Sequence, residues 1–454
     1  MAEPGGGLTE PPGTAPRGQL GPVLVAGLPR SLSLLGFVLM GAVDVAMVAP
    51  LGSRSLGALA LATAYSATLS ILAIHVLAPV DLMIARALGS GDRAALARIH
   101  RSSLVLALCA ALPVTALHVW AGPGLGLLAG EGDAALLAEA AAYCRALAWG
   151  VPAFFLFHAH RLFVEGHGRM WPALVIIAAA NLVNLAGNWV LIHGHLGAPA
   201  LGSAGSAWAT ASVRMASFLA VTIYLLRVPQ LRDSLRGPLS AARGETWRIG
   251  RLGISTGVRV AAREVTYAAV IALTARFGQS ALAGGQIAFS LLAVANTAQI
   301  GFAWGVSVLL ARLLGQKDPR GARAALRLAL TISAVASAAV ALALAALAAP
   351  IAHLYTDDPA VAAAATSILR TAALFHVAAS FAVTAAAGIF ALLDMGFAAR
   401  VSIPMLFALA LPMSWLLAFP LDLGPSALWL GPAAAETLTG AIFLRRFLGR
   451  TRVG

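Results

Sequence analysis

Charge is what this chain is short of. Asp, Glu, Lys and Arg make up 11% of its 454 residues, whereas hydrophobic residues make up 60% and the mean hydropathy is +0.86. Soluble domains carry roughly a quarter charged residues, so that class is excluded. Cysteine is scarce too: Cys109 and Cys144 both fall inside apolar runs and read as packing residues rather than a disulfide. No HExxH and no phosphate-binding Gly-Lys motif occurs, and the His193–His195 loop holds no G-x-S-x-G, so nothing points to an enzyme or to ATP-driven transport by this chain alone. His158 and His160 are too close in sequence for a helical zinc pair, and no metal or cofactor is expected. The first residues, MAEPGGGLTEPPGTAPRGQL, lack the basic n-region and apolar core of a signal peptide, and residues 1–21 read as a disordered cytoplasmic tail.

What is present is apolar length. Runs long enough to cross a bilayer as helix, about 20 residues each, lie near 23–49, 57–84, 102–121, 136–160, 170–192 and 205–226, then near 252–275, 282–311, 325–349, 361–391, 399–420 and 427–447. The expected fold class is therefore an all-α integral membrane protein of twelve transmembrane helices. Arginines gather in alternate loops: Arg86, Arg93, Arg98 and Arg101; Arg227, Arg232, Arg236, Arg243, Arg248 and Arg251; Arg312, Arg320, Arg323 and Arg327 with Lys317; and Arg445, Arg446, Arg450 and Arg452. The opposite loops hold Glu131, Asp133, Asp357, Asp358 and Asp422, so both termini are expected in the cytoplasm. The net charge of +13 is then a topology signal and a contact with anionic lipid, not a nucleic-acid surface.

The two sets of six runs match at a constant offset of 226 residues. ARALGSGD (85–92) aligns with ARLLGQKD (311–318), and the same offset carries Gly52 to Gly278, Leu56 to Leu282, Ala62 to Ala288 and Trp189 to Trp415. Six helices separate the copies, so the halves share one orientation and are related by an axis along the membrane normal, as in a two-lobed secondary transporter. The expected division is an N-lobe (22–228), a cytoplasmic linker (229–250), a C-lobe (251–447) and a cytoplasmic tail (448–454).

Within the runs a few polar residues stand out, because an intramembrane charge is costly unless it is paired, neutralised or turned to a polar cavity. Asp44 lies in the first run; Asn181, Asn184 and Asn188 share one face of the fifth, and Thr210 lies in the sixth. An acid among amides and a hydroxyl suits reversible binding of H+ or Na+, though an amide face also serves as inter-helix glue. Asp81 is either part of that site or a latch to Arg86 or another arginine at the inner face. Glu264 in the seventh run is either a cavity acid or one half of a buried ion pair. Arg263 points about 100° away around the helix and is no automatic partner, whereas Tyr267 shares the Glu264 face. Gln286, Asn296 and Gln299 are candidate cavity lining, with Trp149, Phe154, Phe155, Phe157, Phe289 and Trp304 as candidate aromatic walls; Arg145, Arg214 and Arg370 are expected to snorkel to headgroups.

These residues resemble the multidrug and toxic compound extrusion (MATE) family, in its NorM-like and DinF-like bacterial branches. The resemblance rests on MGAVDVAMVAPLGSRSLGALALA (40–62), NLVNLAGNWVLIHGHLGAPALGSAGSAWATA (181–211), AREVTYAAVIALTARFGQSALAGGQIAFS (262–290) and GVSVLLARLLGQKD (305–318), and extends over 25–447. It implies two six-helix lobes and a monomeric drug/cation antiporter of the bacterial inner membrane, acting on lipophilic, often cationic small molecules. It also implies that Asp44 takes up the coupling ion, with Asn184, Asn188 and Thr210 completing its site, and that Glu264 is the acid of the seventh helix. NorM-like members carry an acid in the tenth helix where this chain has Ala378, Ala379 and Ser380, a loss that favours H+ over Na+. The rivals are a flippase for lipid-linked precursors, which needs a cationic cavity and has Arg259 and Arg263 as its hint, and a channel or receptor.

Overall fold

The computed structural model describes residues 16–129, 133–235 and 243–452, and among these every regular element is helical. Glu131, Arg236, most of the N-terminal tail and the last two residues lie outside the described residues. The first half comprises α1 (Leu20–Val48), α2 (Ser53–His75), α3 (Val80–Ser90), α4 (Arg93–Val119), α5 (Ala121–Ala129), α6 (Ala134–Ala148), α7 (Val151–Gly166), α8 (Trp171–His193), α9 (Ser203–Arg227) and the short α10 (Pro229–Arg232). The second comprises α11 (Arg243–Thr274), α12 (Gln279–Gly315), α13 (Pro319–Ala346), α14 (Ala348–Tyr355), α15 (Pro359–Ala391), α16 (Met395–Pro404), α17 (Leu411–Ala418) and α18 (Leu430–Arg450). In hydrocarbon a helix satisfies its own backbone, which is why apolar length translates so directly into this architecture.

The count of twelve needs qualification. Ten helical spans are long and apolar enough to cross a membrane, and an eleventh arises if α6 and α7, bent by 48°, act as one. The remaining candidate, α11, is long enough but carries Arg259, Arg263 and Glu264 in its apolar stretch. It also begins inside the stretch expected to be linker. The second span is broken between α2 and α3 where Pro79 intervenes, and a π-helical segment, Met405–Ala410, separates α16 from α17 between Pro404 and Pro412. Proline has no N–H to give the helix ladder.

The 226-residue repeat is visible as geometry. Gly52 and Gly278 precede α2 and α12 at φ 101° and 97°, a region that suits only glycine. The Asp92 carboxylate accepts from Ala95 N at 2.9 Å to cap α4, and its counterpart Asp318 accepts from Gly321 N at 2.8 Å to cap α13.

The halves pack against each other at the arginine-rich end, through contacts that themselves obey the offset. Gly89 on α3 faces Arg312 O while Gly315 on α12 faces Arg86 O; Gly27 on α1 faces the Phe302 ring while Gly253 on α11 faces Val76. At each of these four positions a methyl group has no room. A core cluster spans both halves here, combining Val23, Leu82, Ala85 and Met170 with Phe302, Val306 and Leu310. Further polar ties are Ser31 Oγ donating to Ala298 O at 2.8 Å and Arg86 donating to Leu392 O at 3.4 Å.

Candidate functional site

In the first half α1 brings Asp44 against α8 and α9. The carboxylate is 6% exposed. Asn188 Nδ2 donates to its Oδ1 at 2.7 Å and Thr210 Oγ1 to its Oδ2 at 3.2 Å; Asn184 Oδ1 accepts from Asn188 Nδ2 at 3.3 Å, while Asn184 Nδ2 donates to Thr210 at 3.3 Å. The four residues thus form one connected network, with Asn188 Oδ1 and Ser206 Oγ buried beside it. Asn181 does not join it. Its amide donates to Gly36 O at 3.1 Å and Ile177 O at 2.9 Å, so it ties α8 to α1.

Asp44 and Thr210 line a cavity of about 330 Å³ walled by Phe37, Tyr143, Phe154 and Phe157, with His158 and Arg214 among its lining. Arg214 is therefore not a snorkelling residue. Its guanidinium lies 4.5 Å from the centre of the Phe154 ring, inside the bundle. Arg145 and Arg370 are exposed. Phe155 belongs to the packed core, and Trp149 is largely exposed.

The second half holds a smaller cavity, about 180 Å³, lined by Arg259, Arg263, Glu264, Tyr267, Phe289, Asn296, Gln299, Ser380 and Glu436. Glu264 is half-exposed and accepts from Arg263 at 3.2 Å. Adjacent positions diverge at the backbone, but these two side chains are long enough to curl back together, so the helical-wheel expectation fails here. Tyr267 donates its hydroxyl to Glu436 Oε1 at 3.1 Å. Glu436 was not among the sequence candidates; the signal was there, as a lone acid in GPAAAETLTGAIF exactly one repeat from Thr210. Asn296 Oδ1 meets His376 Nδ1 at 2.8 Å, and Gln299 donates to Ser333. Gln286 is exposed and lines neither cavity.

Asp81 lines neither cavity. It is fully buried and paired with Arg30 of α1 rather than Arg86, and Arg30 also meets Glu165 of α7 at 3.0 Å, which Arg161 approaches at 3.2 Å. Two guanidiniums and two carboxylates thus close a buried quartet joining α1, α3 and α7. The Arg30 guanidinium lies 5.8 Å from the Trp304 ring of α12, which places the quartet against the other half.

Among the described residues no group of three or more His, Cys, Asp or Glu could hold a metal ion. His100 and His160 meet at 2.9 Å, with His100 also at 2.8 Å from Ser234. A G-x-S-x-G does occur at Gly253–Gly257, but within α11, where Ser255 donates to Arg251 O at 3.2 Å; the nucleophile geometry of that motif needs a strand-to-helix elbow.

The family model described as MatE matches residues 29–190 and 257–416, one segment in each half and together most of the chain. The chain belongs to the MatE family. Among curated relatives of this MatE protein are multidrug resistance protein PmpM of Pseudomonas aeruginosa, 28% identical over 94% of this chain and 90% of the relative, and MdtK of Edwardsiella ictaluri, 30% identical over 66% and 67%. Multidrug resistance protein NorM of Aliivibrio fischeri is 27% identical over 77% of each. Of solved structures, a MATE transporter in the bent conformation superposes with a TM-score of 0.85 at 17% identity over 96% of each chain. The Vibrio cholerae MATE transporter VcmN in the bent form gives 0.84 at 18% identity, covering 96% of this chain and 98% of that one. The two-lobe MATE fold and a multi-pass membrane protein are thereby shown for this MatE chain.

Proposed function

We propose that this MatE protein is a secondary multidrug efflux antiporter that exports lipophilic, often cationic small molecules in exchange for H+, and less readily Na+. The observation that carries the reading is Asp44, a carboxylate met by an amide and a hydroxyl yet turned to a cavity of ligand size. Donors of that kind stabilise the ionised acid without cancelling its charge, so protonation remains reversible. In the second half Glu264 is engaged by Arg263 while α15 offers Ser380 in place of an acid, which favours H+.

In the proposed cycle Asp44 takes a proton when its cavity faces outward, substrate leaves, the lobes rock, and the proton is released inward before new substrate binds. Each ligand then shifts the population toward its own release. The arginine-rich end faces the cytoplasm of a bacterial inner membrane with both termini inside. Lobe closure at that end supports an outward-open state. The chain works as a monomer with no resident cofactor. A lipid-precursor flippase is less well supported, because Arg259 and Arg263 share their small cavity with Glu264 and Glu436.

The test is purified protein in liposomes, following ethidium while a pH gradient and a Na+ gradient are imposed separately. Wild type follows the pH gradient, and Asp44→Asn folds normally but loses coupled transport. Normal coupled transport by Asp44→Asn removes the ion-binding role, and movement of labelled lipid without dye would favour the flippase.

A further inference from the structure

α18 closes a span of 26 residues, Pro425–Arg450, roughly 40 Å of helix against a hydrocarbon core of about 30 Å. Its last turn therefore projects into the headgroup layer at the arginine-rich end. Between that end of α18 and α16 lies an open groove of about 340 Å³, lined by Phe397, Ile442, Arg445, Arg446, Gly449 and Arg450. It shares no lining residue with either cavity described above.

Arg446 is held in place. Its Nη2 donates to Asp394 Oδ2 at 2.8 Å and its Nε to the same oxygen at 3.3 Å, while the guanidinium lies 4.5 Å from the centre of the Phe397 ring. Arg445 and Arg450 are exposed and, among the described residues, no carboxylate stands within ion-pair distance of either. Three guanidiniums thus meet one carboxylate, and the groove keeps an excess of positive charge. Gly449 leaves it room, since a Cβ there would meet nothing within 4 Å. One repeat earlier, Leu219, Ala220 and Tyr224 stand where the second half has Arg445, Arg446 and Arg450. The fold itself does not require these charges.

We propose that this groove binds the phosphate of an anionic phospholipid in the leaflet at the arginine-rich end. A guanidinium offers phosphate two parallel hydrogen bonds, and Arg446, already fixed by Asp394 and Phe397, loses little freedom on binding. Arg445 and Arg450 supply the charge that one phosphodiester needs. A lipid fits better than free phosphate because the wall continues as hydrocarbon surface: Ile442 lines the groove, and Leu438, one turn nearer the bilayer centre on the same helix face, is 48% exposed. The site rests on membrane residence alone and not on the transport reading.

Lipid binding to the delipidated full chain in detergent is read by native mass spectrometry, with phosphatidylglycerol as probe and phosphatidylcholine as neutral reference. Wild type takes up its first phosphatidylglycerol more tightly than phosphatidylcholine. Arg445→Gln with Arg450→Gln lowers the phosphatidylglycerol affinity roughly thirtyfold, about fivefold for each arginine, and leaves phosphatidylcholine unchanged; both residues are exposed, so folding is not at stake. Gly449→Trp fills the groove with every charge kept and lowers the affinity too. Arg320→Gln with Arg452→Gln removes as much charge from exposed positions outside the groove and changes little. Equal losses in the two double variants, or no loss in Gly449→Trp, would mean diffuse attraction to a basic surface and overturn the proposal. So would a wild type that does not prefer phosphatidylglycerol, which needs no variant to fold. Displacement of phosphatidylglycerol by millimolar inorganic phosphate shows a site for free anions and overturns it as well.

Discussion

Replacing Gly89 by alanine should loosen the closure between the lobes, and replacing Gly315 should do the same for the same reason. A Cβ on Gly89 strikes Arg312 O, with Gln316 N and Gly315 Cα both at 3.0 Å; a Cβ on Gly315 strikes Arg86 O, with Gly89 Cα at 3.1 Å. The obstacles are backbone on both sides, so no rotamer change relieves them and the helices must separate. Overpacking of this kind costs about 1–3 kcal/mol. A cost of about 2 kcal/mol, felt only while this end is closed, multiplies the open-to-closed ratio about thirtyfold. The two sites touch, so the effect of the double variant falls short of the product of the singles. The assay is a spin-label distance distribution between cysteines placed at exposed Ser90 and Gln316, with Cys109 and Cys144 replaced. A second, longer distance should grow in both variants to a similar extent. Unchanged distributions, or an effect of Gly89→Ala that Gly315→Ala does not share, would refute both the close packing and its two-fold character.

Two other outcomes are expected. Asp81→Asn leaves Arg30 and Arg161 with Glu165 as their remaining carboxylate, and should destabilise the protein by about 3 kcal/mol in SDS unfolding; adding Arg30→Met should recover part of that loss, and a strictly additive double variant would speak against the quartet. Glu436→Gln removes the carboxylate that accepts from Tyr267 and leaves Arg259 and Arg263 facing Glu264 alone, and should destabilise the protein by about 3 kcal/mol in SDS unfolding. Glu264→Gln should cost less, since that acid is half-exposed; the reverse order would make Glu264 the carboxylate that holds the two arginines.

Asp44, Asn184, Asn188 and Thr210 are legible in the sequence because each breaks an apolar run, and a polar group in such a run stands out against its surroundings. Asn181 shares their helical face but turns to the Gly36 carbonyl, a choice made by where α1 lies. The quartet is not legible in the sequence, since Arg30, Arg161 and Glu165 lie toward the arginine-rich ends of their helices, where charge is unremarkable. The repeat marks the place of Glu436 one offset from Thr210, whereas Arg214 reads as a headgroup residue in sequence because sequence position alone does not say which way a side chain turns.

The sequence by itself determined membrane residence, helix placement and the two-fold repeat, since hydrocarbon admits apolar helices and little else and a duplicated pattern keeps its register. Tertiary structure decided which charges meet. Arg30 lies 51 residues from Asp81 and Tyr267 lies 169 from Glu436, and only helix packing brings such groups within hydrogen-bond reach. It likewise placed Arg214, twelve residues into its helix, in the cavity that Asp44 lines.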